Sequence, residues 1–241
     1  MTLETEMEKA IIRTVLRVML PLGNDAVSSE AQEKANQIVW KLVIPAPGKT
    51  EPEFSTNVAR RMLGVMLAQM GYEPPPGKED TIRDLLSDAR LDLIILTAVY
   101  LVFSYKRWNG RQYPTYLYDN PCLEFYRAFP RRAMRDWPER WKAAGGRFFP
   151  GESPYPEGRM IAMKDDPIWT TISAFGLPFP PFDFHSGMDV RDVSRQVAVE
   201  LGVMQIDHSI QPAALSASNE FQERLAAKLH KNLTKLEADE T

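Results

Sequence analysis

Apolar residues recur three and four apart through the first hundred positions of the chain, and that period predicts amphipathic helices. Leu3, Met7, Ile11, Val15 and Val18, with Ile12, Leu16 and Met19 widening the stripe, give a helix over residues 3–20 that stops near Pro21-Leu22-Gly23. A second, capped by Ser28 or Ser29, sets Ala31, Ala35, Ile38, Val39 and Leu42 on one side and breaks at Pro45-Ala46-Pro47-Gly48, the first candidate linker. Ser55 caps a third, whose face reads Val58, Met62, Val65, Met66 and Met70 and which ends at Gly71 before the stiff run Pro74-Pro75-Pro76-Gly77. Asp80 opens a long helix through Ile82, Leu85, Leu86 and Ala89 into Leu93–Tyr105, apolar nearly all round in its second half and so expected in the centre of a domain.

From Asn109 the helical period gives way to Gly, Pro and aromatics. Tyr113–Tyr118 and Pro121–Tyr126 read as short strands or extended loops, and Arg159–Met163 leaves room for one strand. Asp136-Trp137-Pro138-Glu139 has the cap, first-turn proline and third-position acid of a helix start, with Gly145 as its stop. Asp165-Asp166-Pro167 opens another that ends at Gly176. Val190–Leu201 reads as one helix ending at Gly202, and Ala214–Leu236 as a last one carrying Leu215, Phe221, Leu225, Leu229 and Leu233 or Leu236 on a stripe. The fold class is therefore α+β and predominantly α. The expected organisation is a helical bundle over 1–108, with 1–50 as a separable arm; a Pro/aromatic-rich module with a few short strands and helices over 109–204; and a peripheral C-terminal helix with an acidic tail over 205–241.

Composition narrows the class. With 241 residues, 44% hydrophobic and 25% charged, the chain can bury real cores, which excludes disorder throughout. A net charge of −3 argues against general nucleic-acid coating, though a local basic patch remains compatible with it. The single cysteine, Cys122, excludes an intrachain disulfide framework, and His185, His208 and His230 are too scattered for a structural zinc site, so neither a disulfide partner nor a metal is expected. The acidic N-terminus carries no signal-peptide pattern, and Leu93–Phe103 is about half the length a bilayer crossing needs, so a cytoplasmic chain without membrane contact is expected.

Three clusters are candidates for chemistry. Between Arg127 and Arg147 stand Arg127, Arg131, Arg132, Arg135, Arg140, Lys142 and Arg147 against only Asp136 and Glu139, interleaved with Phe129, Trp137 and Trp141. That composition suits a surface touching phosphates or acidic groups, with Arg131, Arg132, Arg135, Arg140, Lys142 and Trp137 as contact residues. The plainer alternative, preferred here, has the tryptophans buried and the arginines lying over them. Asp165, Asp166, Asp183 and His185 can be drawn as an acid/base or metal set roofed by Trp169 and Phe182, a nuclease-like or toxin-like reading. Helix capping already accounts for Asp165-Asp166-Pro167, however, and the spacing Asp183, His185, Asp189, Asp192 fits no metal-ligand pattern. Ser186 lacks a strand-turn-helix elbow, and Cys122 has no neighbouring cation to make a thiolate. No glycine-rich phosphate loop or paired metal-ligand motif occurs, so an enzyme has no positive support and no cofactor is expected.

Arg159-Met160-Ile161-Ala162-Met163-Lys164-Asp165-Asp166-Pro167-Ile168-Trp169, followed by Pro180-Pro181-Phe182-Asp183-Phe184-His185-Ser186-Gly187-Met188, resembles the head-morphogenesis or minor capsid proteins of tailed bacteriophages of the Mu F type. The likeness covers about residues 80–204. In that family a strand leads to an acidic-aromatic element and then a Pro-Pro loop, here Asp166, Trp169, Pro180, Pro181, Phe182 and Phe184. The resemblance implies a minor virion component of a phage or prophage, acting near the portal during head assembly, with capsid or portal protein as partner and DNA as a further one. It also implies a place in the host cytoplasm and then the virion. The family's Cys-Arg-Cys element after the Pro-Pro loop is replaced by Phe184-His185-Ser186-Gly187, so no metal or redox role carries over. A DNA-binding accessory factor using the 127–147 segment is the remaining alternative.

Overall fold

A computed structural model of the chain describes residues 3–23, 25–44, 53–130 and 135–239. The candidate linker Pro45–Gly48 lies outside them. About 52% of the described residues are helical and 9% strand, with one four-stranded antiparallel sheet among them, which makes the fold α+β and predominantly α. Two compact units are present, residues 1–103 with 216–241 and residues 104–215. The break thus falls at 103/104 rather than near 108, and the C-terminal helix belongs to the first unit instead of forming a separate tail.

In the first unit, α1 (Leu3–Met19), α2 (Ala26–Val43), α3 (Thr56–Gln69), the beginning of α4 (Asp88–Gly110) and the last helix, Asn219–Asp239, bury their apolar stripes together. Ile11, Val15, Leu16, Val39, Leu63, Ile94, Ala98 and Leu229 have essentially no exposed surface. Asp25, not Ser28 or Ser29, caps α2, its Oδ1 accepting from Ser28 N at 2.8 Å. The third helix is rotated from its predicted face: Ala59, Leu63, Met66 and Leu67 are buried, while Val58 and Val65 are exposed. The sequence carries two overlapping apolar stripes there, and packing selects the one that places Gly64 beside Leu91, 3.9 Å from where a Cβ would sit.

The long helix begins at Asp88, not Asp80. Residues 78–87 form turns in which short polar side chains take the backbone bonds a helix would have made. Asp84 accepts from Asp80 N at 3.1 Å and Leu86 N at 2.8 Å, Ser87 Oγ donates to Thr81 O at 2.7 Å, and Asp80 itself sits at φ +59°. Arg90, 3% exposed, donates to Met19 O and Ile82 O and pairs with Glu237 of the last helix at 2.7 Å.

The second unit holds the sheet. After α5 (Pro114–Asp119) come β1 (Cys122–Arg127), α6 (Trp137–Ala143), β2 (Phe148–Phe149), β3 (Arg159–Met163), α7 (Ile168–Ile172), β4 (Met188–Val193) and α8 (Arg195–Glu200); the last helix is α9. Strand order is β2-β3-β1-β4, with Phe125 opposite Met160 on one side and Val190 on the other. Two expectations change. Tyr113–Tyr118 is mostly a short helix, with Pro114 in its first turn. Val190–Leu201 is strand then helix, because residues 188–193 pair with β1 and Ser194 caps the helix after them. One sheet face places Leu123, Phe125, Met160, Ala162, Met188 and Val190 against Trp137, Trp141, Trp169 and Phe182. The other carries Cys122, Ile161 and Val193 against Phe149, Ala198 and Met204.

Candidate functional site

Helix α6 positions the basic segment. Asp136 Oδ1 accepts from Glu139 N at 3.0 Å, fixing the first turn as the sequence predicts. Trp137 and Trp141, four apart, then turn inward and are 1% and 0% exposed. This corrects Trp137 as a contact residue: its ring meets Phe125 edge-on at 5.2 Å and offers no outer surface. Arg140 lies across it, with Cζ 4.8 Å from the ring centroid, and its Nη1 donates to Asp183 Oδ2 at 3.1 Å. Arg135 reaches the same carboxylate oxygen at 3.4 Å. Lys142 is exposed, and Arg131 and Arg132 lie outside the described residues. The segment therefore lays Arg140 over the buried Trp137, and the single carboxylate of Asp183 pairs with both Arg135 and Arg140.

The Pro-Pro loop faces inward as well. Phe182 is fully buried, 5.1 Å from Phe125 and 6.1 Å from Trp169; Phe184 packs on Phe175 at 4.9 Å. Pro180 is buried and Pro181 half-buried, joined by a cis peptide. Trp169 Nε1 donates to Met163 O at 2.8 Å, so the indole is satisfied as well as buried.

The proposed acid/base set is not assembled. Asp166 Oδ1 accepts from Ile168 N at 2.8 Å at the head of α7. Asp183 Oδ1 accepts from Phe184 N while its other oxygen holds the arginines. Asp165 and His185 are exposed, His185 at φ +51°. Asp189 and Asp192, further along, are bonded to Arg107 and Arg111 at 2.6 and 2.7 Å. Among the described residues no three His, Cys, Asp or Glu side chains gather as a metal site.

Sequence reasoning missed the two ion clusters that pin the sheet. Glu124, 3% exposed, alternates with Leu123 and Phe125 and so points to the other face, where Arg159 Nη2 at 2.7 Å and Arg191 Nη2 at 2.8 Å donate to its two oxygens. Burial pushes its pKa up, but the bonds from Arg191 and Arg159 outweigh that and hold it below the ordinary value of 4.5. On β4, paired with Leu123 and so one register position from Glu124, Asp192 is likewise worked against by burial, and Lys164, Arg111 and Tyr116 hold its carboxyl below the usual range. Lys164 Nζ sits 2.8 Å from Asp192 Oδ1 as an ion pair outside hydrogen-bond geometry. Burial pushes the Cys122 thiol up to about 12, which leaves it a small apolar core residue rather than a nucleophile. A charge amid the apolar run Cys122-Leu123-Glu124-Phe125 was the one signal of the first cluster available in the sequence.

In comparisons with family models, curated proteins and solved structures, nothing matched the chain. Among the described residues no helix is long and apolar enough to cross a membrane.

Proposed function

We propose that this chain is a minor structural or assembly protein of a bacteriophage or prophage head, acting through protein–protein contacts near the portal during head morphogenesis. The observation that carries this reading is the occupation of the candidate acid/base groups. Asp166 is used by a helix start and Asp183 by two arginines, so the most chemistry-like stretch of the sequence serves to hold its loop in place. The resemblance of residues 159–188 to minor capsid proteins of the Mu F type supports the head assignment, and the buried Trp169 and Phe182 give those shared residues a reason to recur as a packing unit. Lys142 is exposed on α6 and offers a charge to an acidic partner surface. The test is deletion of the gene from its head gene cluster, with mass spectrometry of purified heads. Heads that contain the chain, and that fail to fill or mature without it, support the assignment; DNA-filled heads that never contain it overturn it.

A further inference from the structure

The first sheet strand ends on Arg127, opposite Met188 of β4. Side chains alternate along a strand, so Arg127 lies on the sheet face of Leu123 and Phe125, the face packed against Trp137, Trp141, Trp169 and Phe182. Its Nε, Nη1 and Nη2 are all shielded from solvent, and no described residue accepts a hydrogen bond from any of the three. The neighbouring arginines are answered: Arg159 and Arg191 by Glu124, Arg107 by Asp189 and Arg111 by Asp192. Acceptors on this side are already in use, since Gly187 O takes both Ala128 N and Phe129 N, and Asp183 takes Arg135 and Arg140. A second donor on the same face is also unanswered. Trp137, 1% exposed and 5.2 Å from the Phe125 ring, has its Nε1 buried with no acceptor among the described residues.

A guanidinium held out of water without an acceptor is among the costliest arrangements a fold carries, and a bound anion removes that cost. The group presents its N–H donors in a planar fork, and the indole adds one more; a tetrahedral oxyanion has enough oxygens to meet both, whereas a carboxylate is used up by the fork alone. We propose that Arg127 is the receptor for a small tetrahedral oxyanion of the phosphate or sulfate class, held through two oxygens by the guanidinium fork, with Trp137 Nε1 as a further donor on that face. Arg127 as a whole is part-exposed, so its head reaches the ion by a change of rotamer and carries it inward. Enclosure of the three nitrogens selects for size: a free ion is closed over, while a phosphate flanked by the sugars of a nucleic acid is not. Because the unanswered groups are all donors, an oxyanion with no proton of its own is the better match, and sulfate is expected to bind at least as well as hydrogen phosphate. The ion completes the core of the second unit and does not depend on the head assignment.

The test follows the melting temperature of the full-length protein as sodium sulfate or phosphate is added in the low millimolar range, with chloride at equal ionic strength as the control. The wild-type midpoint is expected to rise with the logarithm of oxyanion concentration and to stay level in chloride. Arg127→Met should abolish the rise and, in chloride, melt no lower than wild type, because an apolar side chain then stands where an unpaired charge was buried. Arg127→Lys keeps the charge without the fork and should weaken sulfate binding by about tenfold or more in calorimetric titration. Equal rises in wild type and Arg127→Met overturn the proposal, since they reduce the effect to general salt stabilisation or an adventitious ion only. A rise produced by a short oligonucleotide but by neither free ion overturns it as well, making the segment a nucleic-acid surface. Selenate, a tetrahedral analogue that scatters anomalously, gives a readout independent of any variant's folding: wild-type crystals soaked in it should show a peak beside the Arg127 guanidinium, and a map without one refutes the site.

Discussion

Arg140 Nη1 donates to Asp183 Oδ2 at 3.1 Å, and this contact ties α6 of the basic segment to the Pro-Pro loop, two stretches that the sequence presents as separate candidates. The same carboxylate oxygen, shared with Arg135 at 3.4 Å, offsets part of the charge of the stretch that looks most like a nucleic-acid surface. Asp183→Asn is therefore expected to leave the fold intact, release two guanidinium groups and raise the salt needed to elute the protein from heparin. An unchanged elution position shows that the basic segment is already unneutralised in solution.

Glu124 is the most enclosed carboxylate of the sheet, its side chain 4% exposed and both oxygens bonded to arginines. Replacing it by Leu leaves Arg159 facing an apolar neighbour and is expected to cost roughly 3–5 kcal/mol in urea unfolding. Double replacement of Glu124 and Arg159 by apolar residues should recover part of that loss, because it removes the uncompensated charge.

The acid limb of stability follows from the same group. Its folded pKa lies below its ordinary 4.5, so its contribution is fully present above that value and is lost as pH falls through the folded one. Asp192, held below 3.8, adds in the same direction at lower pH. Thermal midpoints should be level above about pH 5 and fall below about pH 4, with Glu124→Gln flattening the upper part of the fall. A variant curve parallel to wild type at every pH contradicts the assignment.

Gly146 is held against Trp141, where an added Cβ would approach the indole closer than any real contact allows. Gly146→Ala is expected to destabilise by about 1–3 kcal/mol through overpacking, and Trp141→Ala by about 3–5 kcal/mol through the cavity it leaves. Chemical denaturation of both variants measures this. A neutral Gly146→Ala would show that the indole swings away freely.

Glu237 near the end of α9 pairs with Arg90, whose side chain is 4% exposed, and its carbonyl accepts from Arg83 at 2.8 Å. Truncation after Leu236 should lower the melting temperature by several degrees, the shift expected for about 1–2 kcal/mol in a chain of this size. Arg90→Met in the truncated chain should restore part of it. If truncation has no effect, the helix end is not held by these arginines.

Local chemistry was legible where one residue decides it. The Asp136 cap with Pro138 and Glu139, the Ser55 cap, and strand Arg159–Met163 needed only nearest neighbours in sequence, and each is in place. Short polar side chains at 80–87 could not be weighed against helix propensity without knowing that Asp84 and Ser87 would take the backbone bonds. Likewise residues 190–193 carry a helical period as well as a strand's, and only pairing with β1 selects the strand. For the site, the sequence showed which residues are charged and aromatic, but not which face they turn to.

By itself, then, the sequence determined a predominantly helical chain, some of its caps such as Ser55 and Asp136, and the absence of any phosphate-loop motif or disulfide framework. It also located the aromatic-rich stretch that builds the second core. Only the tertiary structure decided that Trp137 and Phe182 point inward, that Asp183 answers Arg135 and Arg140, and that Glu124 is enclosed by two arginines. The physical reason is range: caps and turns are settled within about four residues by local hydrogen bonds, whereas burial and charge pairing join residues tens of positions apart.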